Sequence, residues 1–202
     1  MKKLNRLAVP LLALFSSACI HAADFDLKDP KGVNNISFSL DAPLESIQGT
    51  TTGISGTVAY DPEAPEKTTG KVVVDATSLH LGNGKMLEHM VGKGWLDVEK
   101  YPEITFDLQS LSNVETDGNK TTATATGVMS IKGETKEITA PITLTYLEGM
   151  MEKRSRVPGD LLVVRSKFSI NRSDFGLKPG ENLDKVAEEV EVSLSLAGSY
   201  AH

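Results

Sequence analysis

The sequence has few residues of the kinds on which most enzymes and metal sites depend. It contains one cysteine, four histidines and one tryptophan, and aromatic residues make up 5% of the chain. The cysteine is Cys19, so the chain after residue 22 has no disulfide, no cysteine-ligated metal and no thiol nucleophile. No motif of a serine hydrolase, zinc protease or nucleotide-binding loop is present. Nothing here requires catalysis, and we predict that the protein is not an enzyme.

Long apolar runs are also missing, and the short one near the N-terminus is typical of an export signal. Three basic residues precede an apolar run at residues 7–15, and small residues follow it. This order is that of a secretory signal peptide, and the run is shorter than the roughly 20 residues that span a bilayer. We predict a signal peptide at residues 1–22, a single domain at residues 23–202, export of the mature chain, and no stable membrane insertion.

Cys19 suggests a second hypothesis for the N-terminus. A cysteine just after the apolar run can become the lipidated first residue of a bacterial lipoprotein. The residue three positions earlier is Ser16, where that signal normally has a large aliphatic side chain. We therefore expect Cys19 to be removed with the signal peptide.

The charge of the remaining chain excludes one class of partner. Without the three basic residues of the predicted signal peptide, 21 basic residues become 18 against 27 acidic residues, and the net charge becomes −9. So acidic a chain repels phosphate backbones, and we predict no nucleic-acid partner.

Period-two alternation of apolar and polar residues dominates from residue 33 onward. In "ISFSL", for example, three apolar residues share one face and two serines share the other. The pattern predicts strands at residues 36–40, 53–60, 70–79, 103–108, 121–131, 137–146, 161–170 and 186–198. Turn residues near Gly118, Gly133 and Gly159 indicate hairpins between neighbouring strands. Seven or eight antiparallel strands must close into a barrel or pack as a sandwich to remove their edges.

Only residues 84–91 break this pattern convincingly. Met86, His89 and Met90 have the i, i+3, i+4 spacing of one helical face, and Gly92 follows them. The segment therefore predicts a short helical insertion. Thioether and imidazole ligands at this spacing also suit a soft metal such as Cu(I), or haem, although methionine more often fills gaps in a core.

Three ordered motifs then carry a resemblance to a known family. They are "WLDVEKYPEITF" (95–106), "GVMSIKGETKEITAPI" (127–142) and "FSINRSDFGL" (168–177). Behind a signal peptide, they closely resemble the YceI-like family of bacterial periplasmic proteins. The resemblance implies an all-β fold, an eight-stranded antiparallel lipocalin-like barrel, whose interior holds a polyisoprenoid or similar long-chain amphiphilic lipid. It also implies that the compartment to which the protein is exported is the periplasm.

The apolar faces supply the candidate lining of such a cavity. The candidates are Phe38, Leu40, Ile54, Val58, Met86, His89, Met90, Trp95, Phe106, Met129, Ile131 and Phe168. Met86 and Leu87 stand where many family members have a charged pair, so we expect a more apolar lip around His89. No cofactor other than a bound lipid is predicted, and a homodimer is compatible with this interpretation.

Two hypotheses from other classes stay open beside lipid binding. One is a metal or haem site in which His89 acts with Met86 and Met90. The other is a hydrolase or isomerase with carboxylates in the barrel mouth, whose signature would be a strongly perturbed acidic pKa in the cavity. For "NRSDFG" we predict a structural role, with Asp174 capping backbone donors and Arg172 pairing with a carboxylate.

Overall fold

A computed structural model of the protein describes residues 22–202. Cys19 and all but the last residue of the predicted signal peptide lie outside these residues, so both remain predictions. Within residues 22–202, the helices are all too short or too polar to cross a membrane.

The described chain is built mainly of strands. The eleven strands are β1 (Ala23–Asp26), β2 (Asn35–Asp41), β3 (Ser46–Thr51), β4 (Ile54–Tyr60), β5 (Thr69–Asp75), β6 (His80–Leu81), β7 (Glu103–Asp117), β8 (Lys120–Ile131), β9 (Glu134–Leu147), β10 (Gly159–Asn171) and β11 (Glu189–Ala201). The two α-helices are α1 (Gly84–Val91) and α2 (Met151–Ser155). Short 3₁₀ turns cover Pro65–Lys67, Ala76–Ser78 and Arg172–Phe175.

The strands form one antiparallel sheet that closes on itself. Three of the wall strands are each interrupted once, and they consist of β1 with β2, β3 with β4, and β5 with β6. The evidence is the pairing: β1 and β2 both pair with β11 on one side, and on the other side β1 pairs with β4 and β2 with β3. In the same way, β4 pairs with β5 and β3 with β6. β7 to β11 supply the other five wall strands, and β11 pairs with both β1 and β2 to complete the circle. The eight-stranded antiparallel barrel predicted above is confirmed.

Side-chain hydrogen bonds connect the barrel wall where the first wall strand is interrupted. Between β1 and β2, the Asn34 amide nitrogen donates to the carbonyl oxygens of Leu27 (2.9 Å) and Ala197 (3.1 Å), and its oxygen accepts from the Ala197 N–H. Asp29 accepts from the N–H groups of Val33 and Asn34. These bonds replace the missing ladder, since buried backbone groups need partners.

The meander places two sets of connections at opposite ends of the barrel. The β2–β3 and β8–β9 turns, α1, and the loop between β10 and β11 lie at one end, which we call the mouth. The N-terminus of β1, the β4–β5 loop, the β7–β8 turn, α2 and the C-terminus lie at the other, which we call the closed end. Each predicted turn except one falls between strands. Gly159 already belongs to β10, and α2 occupies the connection before it.

Aromatic side chains fill the closed end. Phe25 is fully buried, and its ring lies 6.5 Å from that of Tyr60, 6.2 Å from Tyr146 and 6.0 Å from Tyr200 between centroids. Edge-on and tilted contacts of this kind add to the free energy gained by burial alone. The barrel is therefore a solid core at this end.

Candidate functional site

An apolar cavity of about 710 Å³ occupies the barrel between the aromatic plug and the mouth. Its wall follows from strand alternation, because every second residue of a barrel strand faces inward. On β10 the inward residues include Val164, Phe168 and Ile170, and on β11 they run from Val190 to Leu196. Six residues along a strand correspond to roughly 20 Å, so the cavity is a tunnel rather than a shallow cleft.

Eleven of the twelve candidate lining residues lie on the cavity wall. These are Phe38, Leu40, Val58, Met86, His89, Met90, Trp95, Phe106, Met129, Ile131 and Phe168. Ile54 is the exception, because it is not among the residues that line the cavity. It is buried in a packed cluster with Leu27 and Val74, and of these three residues only Val74 reaches the cavity wall. Alternation predicts the side that a residue faces, but not whether neighbouring side chains fill the space in front of it.

Sequence reasoning missed a large part of the wall. The missed residues include Val72 and Val74 of β5, and the inward faces of β9 and β11: Ile138, Ala140, Ile142, Leu144, Val190, Val192, Leu194 and Leu196. The same alternation that indicated β2 and β7 could have found them, since each lies two residues from the next on its strand.

Three hydroxyl side chains on the cavity wall are hydrogen-bonded to other protein groups. The Thr51 hydroxyl lies 2.5 Å from the Ser78 hydroxyl, Thr68 donates to the Pro65 carbonyl, and Ser166 donates to the Pro141 carbonyl. Among residues 22–202, no buried side-chain nitrogen or oxygen is left without a hydrogen-bond partner. The interior thus offers a ligand apolar contacts and no free buried hydrogen-bonding side chain.

Helix α1 forms one side of the mouth. Asn83 caps its N-terminus, accepting from the N–H groups of Lys85 and Met86. Met86 and Met90 pack against the cluster formed by Leu40, Ile47 and Leu81. The helix covers the predicted residues 84–91.

His89 projects from α1 at the exposed rim of the mouth. Its imidazole has no hydrogen-bond partner among the described residues, and Met86 and Met90 turn into the apolar cluster. No group of three or more histidine, cysteine or acidic residues within residues 22–202 is arranged to hold a metal ion. The metal or haem hypothesis remains a prediction.

A buried arginine holds the other side of the mouth. Arg172 is 2% exposed, and its five N–H donors point to the carbonyl oxygens of Leu177, Lys178, Glu181, Val186 and Ala187. Its guanidinium also lies 5.5 Å from the Trp95 ring centroid. Because every donor is used, Arg172 fixes the loop between β10 and β11 and has none left for a ligand.

Of the two roles predicted for the "NRSDFG" motif, the pairing of Arg172 with a carboxylate is present, whereas the capping by Asp174 is wrong. Arg172 bonds mainly to carbonyls, and its closest carboxylate contact is a long one, 3.9 Å from Nε to Glu188 Oε2. Asp174 does not cap the 3₁₀ turn; it lies 3.4 Å from the Lys136 ammonium. Glu188 instead accepts from the Ser173 N–H. Hydrogen bonding to Ser173, opposed by burial and helped by Arg172, lowers the pKa of Glu188.

The rim above the tunnel is polar. It carries one acid, two amides, two lysines and a histidine: Glu45, Asn83, Asn182, Lys85, Lys185 and His89. A ligand with an apolar chain in the tunnel would place a polar end among these groups. The site is therefore divided into an apolar interior and a hydrogen-bonding entrance.

The carboxyl groups whose pKa is shifted lie outside the cavity. At the closed end, Asp160 accepts from the Gly149 N–H and the Tyr146 hydroxyl, both at 2.8 Å, and lies 3.0 Å from His202 Nε2. Burial opposes ionisation of Asp160, but these hydrogen bonds outweigh it and lower its pKa. Burial and the Asp160 carboxylate raise the pKa of Tyr146. The carboxyl groups with shifted pKa, Asp29, Asp160 and Glu188, all shift downward, and none lines the cavity.

Comparisons with known proteins agree with this architecture. A UPF0312 protein of Pseudomonas fluorescens (strain SBW25) is 28% identical over 197 residues, covering 92% of this chain and 91% of the relative. The structure is also similar to Burkholderia cenocepacia BcnA, with a TM-score of 0.67, 24% identity, and coverage of 81% of this chain and 95% of that one. A polyisoprenoid binding domain from Saccharophagus degradans has a TM-score of 0.66 at 13% identity, covering 90% of this chain and all of that one.

The likeness to the solved structures, at such low identity, concerns the fold. Family membership rests on the sequence itself, because the family model described as "YceI-like domain" matches residues 29–197. That range includes the barrel wall from β2 to β10, α1, and the Arg172 loop. The protein therefore belongs to the family of YceI-like domains.

Proposed function

We propose that the protein binds the chain of a long polyisoprenoid, or a similar amphiphilic lipid, inside the barrel and performs no chemistry on it. The observation that carries this proposal is the tunnel of about 710 Å³, whose buried polar side chains are already hydrogen-bonded within the protein. A polar ligand entering this space would lose its hydrogen bonds to water without replacement, whereas an apolar chain loses none.

The length of the tunnel favours a chain over a compact ligand. Each methylene buried from water contributes roughly 0.8 kcal/mol, while ordering a flexible chain offsets part of this gain. A chain that follows the wall for roughly 20 Å buries many such groups. The wall includes Met86, Met90 and Met129. Their flexible side chains can change rotamer to fit a lipid chain whose methyl branches vary in position.

Polyisoprenoids are our first choice among such lipids for a reason outside this chain. The similar domain from Saccharophagus degradans is described as polyisoprenoid binding. Its fold is shared, although its identity of 13% is too low to carry the ligand across by itself. The absence of free buried hydrogen-bonding groups in the tunnel supports the same class of guest.

The remaining parts of the proposal concern location and assembly. We propose that the signal peptide at residues 1–22 exports the chain to the periplasm, where the protein carries or sequesters its lipid. A homodimer stays compatible with this role. N-terminal sequencing of protein recovered from the periplasmic fraction tests the first point, with Ala23 as the expected first residue. Recovery of the uncleaved chain in the cytoplasm would contradict it.

Native mass spectrometry of protein from its own periplasm tests the binding proposal. We expect a population heavier than the polypeptide, and an organic extract that contains an apolar molecule in equal amount. A polypeptide that shows only its own mass, with a water-filled barrel and no affinity for added polyprenol, would contradict the proposal.

The same preparation tests the metal or haem hypothesis. That hypothesis expects stoichiometric metal or a haem absorption band that His89→Ala abolishes. Protein expressed in copper- and haem-replete medium that contains neither would reject it.

A further inference from the structure

The geometry points to a second function of the mouth: we propose that it docks on the surface of a phospholipid bilayer through two exposed leucines. Leu44 is 67% exposed and Leu183 is 47% exposed. Leu44 lies on the β2–β3 turn, and Leu183 lies in the loop between β10 and β11. This inference rests on the proposed function, because a protein that takes up a membrane lipid must meet the membrane.

The two leucines belong to one surface. The Leu44 N–H donates to the carbonyl of Asp184, the residue after Leu183, at 2.9 Å. This bond joins two tips that are far apart in sequence. Exposed apolar side chains brought together by a specific contact are typical of interaction surfaces, whereas single ones are common everywhere.

That surface is continuous with the tunnel. Glu45, next to Leu44, and Asn182, next to Leu183, both line the cavity where it opens. A bilayer that receives the leucines would therefore face the entrance directly, and an apolar chain could pass between the two without crossing water. Exposed apolar residues also occur away from the mouth, at Val33 in the wall between β1 and β2 and at Val157 at the closed end, where aromatic rings fill the barrel.

Hydrogen bonds to the backbone fix the two loops that carry Leu44 and Leu183. Arg172 donates to the carbonyls of Glu181 and Val186, which lie on either side of Leu183. On the other tip, the Ala42 N–H donates to the Glu45 carbonyl and tightens the turn around Leu44. Preorganised tips lose little conformational entropy when they enter a bilayer, which favours docking.

Charges beside the leucines fit the headgroup region of a bilayer. Lys85 and Lys185 line the opening, and long lysine side chains reach phosphate groups while their stems stay in apolar surroundings. Glu45 and Asp184 lie in the same region, so attraction to anionic lipids is partly cancelled. We therefore expect shallow, reversible docking that depends chiefly on the leucines.

The test compares two pairs of exposed apolar residues. Protein expressed from the full chain is sedimented with vesicles of phosphatidylethanolamine and phosphatidylglycerol. The double variant Leu44→Ser/Leu183→Ser and the control variant Val33→Ser/Val157→Ser, whose residues lie away from the mouth, are treated in the same way. We expect the leucine variant to lose about tenfold or more of its vesicle partitioning, and the valine variant to match the unaltered protein. Equal partitioning of all three proteins, equal loss in both variants, or no partitioning of the unaltered protein would overturn the inference.

A second measurement separates this inference from lipid binding itself. Polyprenol added from ethanol reaches the tunnel without a membrane, so the leucine variant should bind it as the unaltered protein does, which also shows that the variant is folded. Uptake of the same polyprenol from vesicles should slow in the leucine variant alone. If no protein binds polyprenol from ethanol, the proposed function fails whatever the vesicles show. If all bind it and take it up from vesicles at one rate, the docking inference fails alone.

Discussion

The two ends of this barrel share the same strands but are stabilised in different ways. The closed end is packed with aromatic rings around Phe25 and contains the hydrogen-bonded carboxylate Asp160. The mouth buries a cluster around Phe175 beside the open tunnel, and its loop between β10 and β11 also depends on the backbone bonds of Arg172. A barrel that admits a ligand cannot fill its whole entrance with side chains, so the mouth combines apolar packing at its sides with the hydrogen bonds of Arg172.

The largest expected difference between the two ends is the effect of removing a phenylalanine from each. Phe25→Ala deletes a fully buried ring from the plug, and we expect it to lower the free energy of unfolding by about 3–5 kcal/mol. Phe38→Ala removes a ring that lines a cavity already present, so we expect less than about 2 kcal/mol. Urea denaturation of protein without lipid measures both. Equal losses would show that the two ends do not differ in packing.

Substitution of two arginines tests how much the hydrogen bonds of Arg172 stabilise the mouth. Arg172→Met should cost about 3 kcal/mol, because it leaves several carbonyls of the mouth loop without donors. Arg165 is exposed and donates to the carbonyls of Val164 and Leu196, so Arg165→Met is a matched control. We expect that control to cost less than about 1 kcal/mol in the same denaturation experiment. A mouth loop that keeps its protection from hydrogen exchange in Arg172→Met would contradict the role given to Arg172.

A smaller expected effect is the pH dependence of stability that Asp160 gives to the closed end. The folded pKa of Asp160 lies below its ordinary value of 3.8, so its contribution to stability is complete above that value. It is lost as pH falls through the lower folded pKa, because the unfolded chain then binds more protons than the folded one. Between pH 5 and strongly acidic conditions, the unaltered protein should lose on the order of 1 kcal/mol more than Asp160→Asn. Parallel stability curves would show that the carboxylate contributes nothing specific to the closed end.

Much of the barrel could be predicted from the sequence because inward-facing apolar residues recur every second position. The strands that were missed show where this signal fails. On β3 the inward positions include Gly49 and Thr51, which carry little apolar surface. The Phe38 ring covers Gly49 so closely that an added Cβ would lie 2.2 Å from it. A large residue on the neighbouring strand thus fills the space and leaves β3 without an apolar pattern.

Helix α1 and the apolar wall of the candidate site could be predicted from the sequence, but the contacts that hold the mouth together could not. Helix α1 could be placed because Met86 and Met90 share one helical face, and large wall residues such as Phe106 follow from alternation. The function of Arg172 could not be derived, since its partners are backbone carbonyls and these leave no mark on residue identity. Nor could the sequence place Leu44 beside Leu183, because the bond that joins their tips is also between backbone atoms.

Polyprenol binding by two variants of neighbouring valines on β5 shows whether the lipid lies inside the barrel. Val72 lines the tunnel, whereas Val73 lies on the other face of the same strand, so Val72→Trp and Val73→Trp add the same side chain to opposite sides of the wall. If the lipid chain occupies the tunnel, Val72→Trp should weaken binding by about tenfold or more, and Val73→Trp should bind like the unaltered protein. Equal affinities for the two variants, both folded, would contradict the claim that the barrel interior is the binding site.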